Sequence, residues 1–224
     1  MGPFAHLNLG DHVGDEAAAV AANRARLRRE VGARPVFLQQ VHGTRHVELD
    51  ASTPDGECAD ASLARIPGVA CTVMVADCLP VLLTDMRGTC VAAVHAGWRG
   101  LAAGVLQQTV AACRSGAPSG NAEIMAWLGP CIGPRVFEVG HDVREAFTAI
   151  DTAAERHFQP AAASGKWLAD LPGLARRQLG ALGVVRVFGN DGTDAWCTVS
   201  NPSRFFSYRR DGVSGRFAAL VWLV

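Results

Sequence analysis

Three side chains in the sequence, His42, Cys78 and His95, have the chemistry needed to bind a transition metal. Two neutral imidazoles and one thiolate form a three-ligand set with a fourth position open, which is the pattern of a catalytic zinc ion. The segments between the three residues are long and match no local zinc-finger spacing. Spacing alone therefore does not distinguish a metal site from three polar residues at strand ends.

The same residue types are compatible with a different mechanism. A nucleophilic Cys78 activated by His95, with Asp60 or Asp77 orienting the imidazole, predicts a cysteine hydrolase. Asp60 is flanked by alanines, which indicates a carboxylate shielded from water, although a carboxylate in an Asx turn gives the same pattern. The hydrolase therefore remains an alternative to the metal site.

Composition and charge exclude several classes of function. Lys plus Arg and Asp plus Glu number 21 each in 224 residues, which gives no support for binding nucleic acid or an anionic membrane. The apolar runs are too short to cross a bilayer, and the first twelve residues do not resemble a signal peptide. Seven cysteines without a C-x-x-C pair indicate free thiols in a reducing compartment. We therefore predict a cytoplasmic protein of one domain.

The elements that must position the three side chains are strands. Residues 72–85 form a buried apolar run in which Asp77, Cys78 and Pro80 predict a bulge or a sharp bend. Residues 86–88 predict a turn, and the apolar run 90–94 leads to His95 and a glycine-flanked corner before a helix. A strand beginning at Pro35 places His42 at its end. All three candidate ligands are thus expected at strand ends, where sites are usually found.

The remaining segments alternate between patterns typical of helices and patterns typical of strands. Asp15 and Gly32 predict the start and end of the first helix, and residues 100–113 predict a continuous second one. Further helices are predicted in residues 139–150 and 170–183, further strands at 124–129 and 184–189, and a hairpin over residues 205–224. This alternation predicts an α/β fold with a mixed sheet.

Five motifs spread over the chain carry a resemblance to a known family. They are QVHG (40–43), ADCLPVL (76–82), HAGWRG (95–100), GPCIGP followed by FEVG (129–140), and FFSYRRD (205–211). In these motifs the chain resembles the YfiH family, also called the laccase-domain or peptidoglycan editing factor family. The resemblance implies a single-domain, four-layer α/β/β/α sandwich over residues 1–224. Members of the family begin with a strand and a Thr-Arg-x-Gly-Gly loop, and we expect this chain to lack that first strand.

The resemblance also implies a function. It identifies His42, Cys78 and His95 as metal ligands. One thiolate with two imidazoles favours Zn²⁺, with copper as the alternative ion. The implied activity is phosphorolysis of the purine nucleosides adenosine, inosine and methylthioadenosine, together with deamination of adenosine, by a monomer or homodimer. The alternatives are a copper-dependent polyphenol oxidase and a non-catalytic peptidoglycan editing factor. A multicopper laccase is not expected, because it needs about ten histidines and the chain has seven.

The other site residues are predicted around this centre. Residues 97–100 open a helix, so Gly97 and the catalytic residue Arg99 are expected to bind phosphate. Asp60 or Asp77 is expected to protonate the leaving base, unless Asp77 only orients a ligand. The residues predicted to contact the nucleoside are Gln40, Trp98, Phe206, Tyr208 and Arg209, with Phe206 and Tyr208 stacking on the purine.

Overall fold

One layer of the protein is a small mixed sheet of three strands. The computed structural model describes residues 2–4, 6–116 and 122–224. Strand β1 (Arg34–Phe37) pairs in parallel with β4 (Val69–Val75), and β4 pairs antiparallel with β12 (Phe217–Val221). Every residue of β4 is buried, because this strand lies in the middle of the sheet and is covered on both faces.

A larger mixed sheet of six strands lies beneath it, in the order β11, β7, β5, β6, β3, β2. The strands are β2 (His46–Leu49), β3 (Ala61–Ala64), β5 (Leu79–Asp85), β6 (Val91–Ala96), β7 (Ile124–Leu128) and β11 (Arg186–Gly189). The four inner strands β7, β5, β6 and β3 are antiparallel neighbours, and each outer strand pairs in parallel with the strand next to it. A third, short sheet contains β8 (Glu138–Val139), β10 (Trp167–Ala169) and β9 (Phe158–Pro160).

Six α-helices are described in these residue ranges. They are α1 (Ala17–Val31), α2 (Trp98–Ala103), α3 (Val105–Ser115), α4 (His141–Thr148), α5 (Leu171–Ala181) and α6 (Tyr208–Asp211). Helix α1 ends at Gly32, which has a left-handed backbone as predicted, but its N-terminal cap is Glu16 and not Asp15. Asp170 caps α5 as predicted, since its carboxylate accepts a hydrogen bond from the Gly173 amide.

Three apolar clusters separate four layers. The first contains Leu9, Phe37 and Met74 and packs α1 against the three-stranded sheet through Leu27. The second, which includes Val36, Val73 and Val91, lies between the two larger sheets. The third is the largest and packs the six-stranded sheet against α2, α3 and α5. The predicted four-layer α/β/β/α arrangement with mixed sheets is therefore confirmed.

The run at residues 72–85 is two strands in two different sheets. Strand β4 belongs to the three-stranded sheet and β5 to the six-stranded one, so the chain crosses from one layer to the other at Ala76, Asp77 and Cys78. The bend predicted from sequence is this crossing. Asp77 takes a φ of 92° there, in the left-handed region that non-glycine residues seldom adopt.

Two further predictions about local structure were wrong. The helix expected over residues 100–113 is interrupted at Gly104, whose φ of 98° ends α2 and starts α3. The expected C-terminal hairpin does not form, because residues 208–211 are the helix α6 and β12 pairs with β4. None of the helices in the described residues is both long enough and apolar enough to span a membrane.

Candidate metal centre and active site

The fold brings His42, Cys78 and His95 together from three separate segments. His42 lies in the loop after β1, because that strand ends at Phe37 and does not reach His42 as predicted. Cys78 lies at the crossing between the sheets, and His95 is the penultimate residue of β6. One ligand atom from each of the three residues lies within 4.8 Å of the other two, and Cys78 Sγ is 3.7 Å from His42 Nε2. The site is thus built where the two larger sheets meet.

Asp60 holds two of these residues from behind. Its side chain is fully buried and accepts hydrogen bonds from the successive backbone amides of Val41, His42 and Gly43, at 3.2, 2.8 and 2.7 Å. Its Oδ1 atom also lies 2.8 Å from Nδ1 of His95. A carboxylate that accepts all of these donors compensates the strain of the left-handed backbone at His42, where φ is 61°.

The bond to Asp60 determines which nitrogen of His95 faces the centre. Burial by itself raises the pKa of Asp60, but the hydrogen bonds from His95 and from the backbone lower it overall, so the group is an anion. Because an anionic carboxylate only accepts hydrogen bonds, Nδ1 of His95 is the donor. The lone pair on Nε2 is then directed away from Asp60, as a metal ligand requires.

Two glycines allow these groups to approach one another. A Cβ atom at Gly97 would lie 2.7 Å from Cδ2 of His42 and 3.1 Å from Sγ of Cys78. A Cβ atom at Gly100 would lie 2.6 Å from the carbonyl oxygen of Gly43. The two glycines of HAGWRG therefore leave the space in which α2 packs against the His42 loop.

The thiol and the imidazole titrate away from their ordinary values. Burial acts to raise the pKa of Cys78, but the charge of His95 and hydrogen bonds from His42 and His95 lower it to about 6. Burial acts to lower the pKa of His95, but the Cys78 thiolate and Asp60 raise it to about 9. At neutral pH the two residues form a thiolate–imidazolium pair, whose proton a metal ion would displace.

The spacing of one ligand pair fits a tetrahedral transition-metal ion. Zinc–sulfur and zinc–nitrogen bonds at a tetrahedral angle place the two ligand atoms about 3.6 Å apart. The observed separation of Cys78 Sγ and His42 Nε2 is 3.7 Å. One thiolate with two imidazoles suits zinc and also suits copper, so the donor chemistry is compatible with both ions.

Asp77 is bound on both of its carboxylate oxygens. Oδ1 accepts a hydrogen bond from the Thr198 hydroxyl at 2.6 Å, and Oδ2 accepts one from the backbone amide of Arg209 at 2.6 Å. Arg209 lies in the first turn of α6, where Ser207 accepts from the Arg210 amide. Asp77 therefore joins the loop that carries Cys78 to the helix that carries Tyr208 and Arg209.

A cavity of about 380 Å³ opens above the three candidate ligands. Its lining combines apolar side chains with several cationic ones, and includes His12, Gln40, His42, Met74, Asp77, Cys78, His95, Trp98, Arg99, Ile132, Phe137, Leu171, Tyr208, Arg209 and Arg216. This size and mixture are typical of sites for small organic ligands that carry a charged group.

The structure places most of the predicted site residues at this cavity. Asp77, Trp98, Arg99, Tyr208 and Arg209 line it. Arg99 is exposed and stacks on the Trp98 ring, with 4.4 Å between its Cζ atom and the ring centroid. Gln40 also lines the cavity, but both ends of its amide bond the backbone of Met74, at 2.8 Å each.

Three predicted site residues lie elsewhere. Asp60 is behind the ligands, with no exposed surface. Gly97 is beneath His42 and Cys78, where it provides clearance. Phe206 borders a separate groove with Phe205 and Phe217.

Several lining residues were not identified from sequence. Arg216, Phe137 and His12 belong to segments that are distant from the ligands along the chain. Arg216 lies one residue before β12, and the pairing of Phe217 with Val75 brings it opposite the crossing that carries Cys78. The DGVSG segment that precedes it indicated only a turn. Its position depends on a long-range strand pairing that has no local sequence signal.

Two relatives match nearly the whole of this chain. A purine nucleoside phosphorylase of Pseudomonas aeruginosa is 53% identical over 221 residues, which cover 99% of this chain and 87% of that protein. The purine nucleoside phosphorylase YfiH of Escherichia coli K12 is 48% identical over 224 residues, covering 99% of this chain and 88% of the relative.

Solved structures show the same fold. A Neisseria meningitidis protein has a TM-score of 0.91 and 49% identity, and covers 100% of this chain and 88% of its own. The YfiH protein of Bacillus licheniformis has a TM-score of 0.90 and 26% identity with the same coverage. The family model described as multi-copper polyphenol oxidoreductase laccase matches residues 1–224. The chain therefore belongs to this laccase-domain family, which the YfiH proteins represent.

Proposed function

We propose that this protein is a metal-dependent purine nucleoside phosphorylase of the cytoplasm, which also deaminates adenosine. The observation that carries the proposal is a His–Cys–His ligand set at the base of a cavity lined by arginine and aromatic side chains. Relatives that are 53% and 48% identical are named purine nucleoside phosphorylases, which supports the same reaction class here. The proposed substrates are adenosine, inosine and methylthioadenosine, each with phosphate.

The proposed ion is Zn²⁺, held by His42, Cys78 and His95, with copper as the alternative. When bound, zinc acts as a Lewis acid that polarises a substrate oxygen or nitrogen. Asp60 keeps His95 in the tautomer that binds metal and holds the His42 loop in its left-handed conformation. In this proposal Asp60 acts as a positioning residue, because no part of its side chain is exposed to the cavity.

The cavity residues bind and orient the two substrates. The half-buried ring of Trp98 and the buried Phe137 offer apolar surface for the purine, and the exposed ring of Tyr208 covers it from α6. The arginines of the lining provide positive charge for phosphate. Asp77 is a positioning residue in this arrangement, since both of its oxygens already accept hydrogen bonds.

A multicopper oxidase reaction is not supported by the ligand count. The description of the family model names such an activity. In residues 2–4, 6–116 and 122–224, however, His42, Cys78 and His95 form the one group of three or more side chains able to hold a metal. A chain that oxidises phenols with several coppers needs additional histidine clusters. Oxidation of phenols by a single copper ion is therefore the form of this activity to be tested.

A cysteine hydrolase is the second candidate, and a specific geometry favours it. Asp60 bonds Nδ1 of His95, and His95 and His42 increase the thiolate fraction of Cys78 by lowering its pKa to about 6. Nucleophile, base and orienting carboxylate thus follow the usual order of a hydrolase triad. The third contact, from His42 Nε2 to Cys78 Sγ, has no role in such a triad and favours metal binding instead.

The test combines product analysis with metal analysis. Protein purified without chelator is incubated with adenosine and inosine, with and without phosphate, and the products are separated by chromatography. We expect about one zinc per chain and ribose 1-phosphate only when phosphate is present. Cys78→Ala should lose both metal and turnover, whereas Cys58→Ala, at an exposed free cysteine, should retain both.

The alternatives give other outcomes. Base release that is indifferent to phosphate indicates a hydrolase, and activity that resists chelators but is lost on alkylation indicates nucleophilic Cys78. Phenol oxidation that requires copper indicates the oxidase. Binding of a cell-wall precursor without turnover of any nucleoside indicates the non-catalytic editing role.

A further inference from the structure

We infer that Arg216 is the residue that binds phosphate in the cavity, in place of the arginine predicted from sequence. This inference rests on the proposed phosphorolysis. Arg216 comes from the segment before β12 and lines the cavity together with Cys78 and Asp77. The antiparallel register of β12 on β4 aligns Phe217 with Val75. Arg216, the residue before Phe217, therefore lies opposite Ala76, the residue after Val75.

The backbone of Arg216 is fixed by a buried turn near the start of the chain. Its amide donates to Oδ1 of Asn8 at 2.8 Å, and its carbonyl accepts from the Leu9 amide at 3.0 Å. Asn8 has no exposed surface, and its amide nitrogen donates to the Gly10 carbonyl and to Asp15. Asn8 is thus a positioning residue that acts through Arg216.

The side chain of Arg216 is also fixed. Its stem passes over Gly10, where an added Cβ atom would lie 2.8 Å from Cγ. Nη1 donates to the carbonyl oxygens of Ser214 at 2.7 Å and Gly215 at 3.1 Å. The guanidinium lies 5.9 Å from the Tyr208 ring centroid. Within the part of the chain that the structure describes, Nε and Nη2 donate to no protein atom and are not enclosed.

This arrangement is suited to an anion with several oxygens. A guanidinium whose orientation is already fixed loses little entropy on binding, and its Nε and Nη2 form the fork that phosphate accepts. Burial lowers the pKa of Arg216, and the charges of Cys78 and Asp77 offset this effect only in part, so a bound dianion would stabilise the cation further. The Asp77 carboxylate in the same lining is already bonded by Thr198 and the Arg209 amide.

Arg99 lacks these features. It is exposed and its guanidinium stacks on Trp98. An exposed, flexible charge contributes little to binding in water. Arg209 is also exposed, and one of its nitrogens is committed to the Glu138 carbonyl at 3.0 Å. Of the three arginines in the lining, Arg216 is the half-buried one.

The test measures phosphate and nucleoside separately. In the zinc-loaded enzyme we expect Arg216→Gln to raise the KM for phosphate roughly 10- to 100-fold, while the KM for adenosine changes less than about threefold. Arg216→Lys keeps the positive charge but loses the two-nitrogen fork, so its KM for phosphate should lie between those of wild type and Arg216→Gln. Gly10→Ala, which displaces the arginine stem, should also raise the phosphate KM. The control is Arg204→Gln, at an exposed arginine that stacks on Phe205 outside the cavity.

Calorimetric titration with inorganic phosphate, with and without adenosine, makes the result independent of turnover. The inference holds if wild type and Arg204→Gln bind phosphate and Arg216→Gln does not. It holds on this result even when no nucleoside is cleaved, because the absence of cleavage overturns only the proposed function. Equal phosphate affinity in wild type and Arg216→Gln overturns the inference. So does the absence of phosphate binding by wild type under both conditions. Zinc content and melting temperature, measured for every variant, identify those that fail to fold.

Discussion

The four hydrogen bonds that Asp60 accepts determine the effect of Asp60→Asn. Oδ1 receives the His42 amide and His95 Nδ1, and Oδ2 receives the amides of Val41 and Gly43. An asparagine has one acceptor oxygen, so either orientation of its amide leaves two of these donors facing an NH₂ group. Each unsatisfied buried donor costs about 1–3 kcal/mol, which gives a loss of about 2–6 kcal/mol.

The consequences are measurable in two ways. For a chain of this size 1 kcal/mol changes the melting temperature by about 2–4 °C, so Asp60→Asn should lower it by at least about 4 °C. His95 also loses the partner that selects its tautomer, and we expect zinc affinity, measured by competition with a chromophoric chelator, to fall about 10- to 100-fold.

Asp85→Asn is the matched control. Asp85 is also buried and accepts two backbone amides on Oδ1, but its Oδ2 is bonded by the Thr89 hydroxyl. Because a hydroxyl can accept as well as donate, an asparagine amide satisfies all three groups there. Asp85→Asn should therefore destabilise less and leave zinc affinity unchanged. Zinc affinity of Asp60→Asn within about twofold of wild type would refute the assigned role of Asp60.

Three further predictions concern the centre and the loop that carries Cys78. Gly97→Ala should weaken zinc binding about 10- to 100-fold, because its Cβ atom would lie 2.7 Å from Cδ2 of His42. The control is Gly180→Ala, where the added Cβ atom meets open space. Equal zinc affinity of the two variants would contradict the packing argument. Zinc affinity should rise about tenfold per pH unit between the Cys78 pKa of about 6 and the His95 pKa of about 9, because the ion displaces the His95 proton in this range. Below pH 6 the affinity should change more steeply, because the ion displaces a thiol proton as well. A zinc affinity that does not change with pH excludes the thiolate–imidazolium pair. Asp77→Asn should keep kcat, since the asparagine oxygen can accept from the Arg209 amide and its nitrogen can donate to Thr198. Asp77→Ala should raise the nucleoside KM about fivefold, because it removes a helix cap worth about 1 kcal/mol. A large fall in kcat for Asp77→Asn would instead identify Asp77 as a proton donor.

The sequence predicted the structure best where neighbouring residues determine the local backbone. Turn residues and apolar runs located β6 and the bend near Asp77, since strand ends and glycine corners have local signals. They did not show that the interrupted run over residues 72–85 is two strands, β4 and β5, in two different sheets. The alanines around Asp60 indicated burial, and the carboxylate is indeed fully buried. Its partners were not predictable, because the His42 loop and His95 reach it only through the tertiary fold.

Long-range pairing accounts for most of what was missed. The apolar strand after the DGVSG turn resembles the second arm of a hairpin, but β12 pairs with β4, whose sequence is far away. That pairing brings Arg216 into the cavity. The single helix expected over residues 100–113 also failed at Gly104, because a left-handed glycine breaks a helix that periodicity alone extends.

The position of Cys78 at the crossing between the two sheets has a consequence for protein dynamics. Cys78 follows β4 of one sheet, while His95 belongs to β6 of the other. An ion bound to both residues would link the layers across the apolar cluster that separates them, so any local opening of that interface would have to release the ion. Loading with zinc should therefore slow amide hydrogen exchange in β4 and β6 together, although neither strand's own hydrogen bonds change.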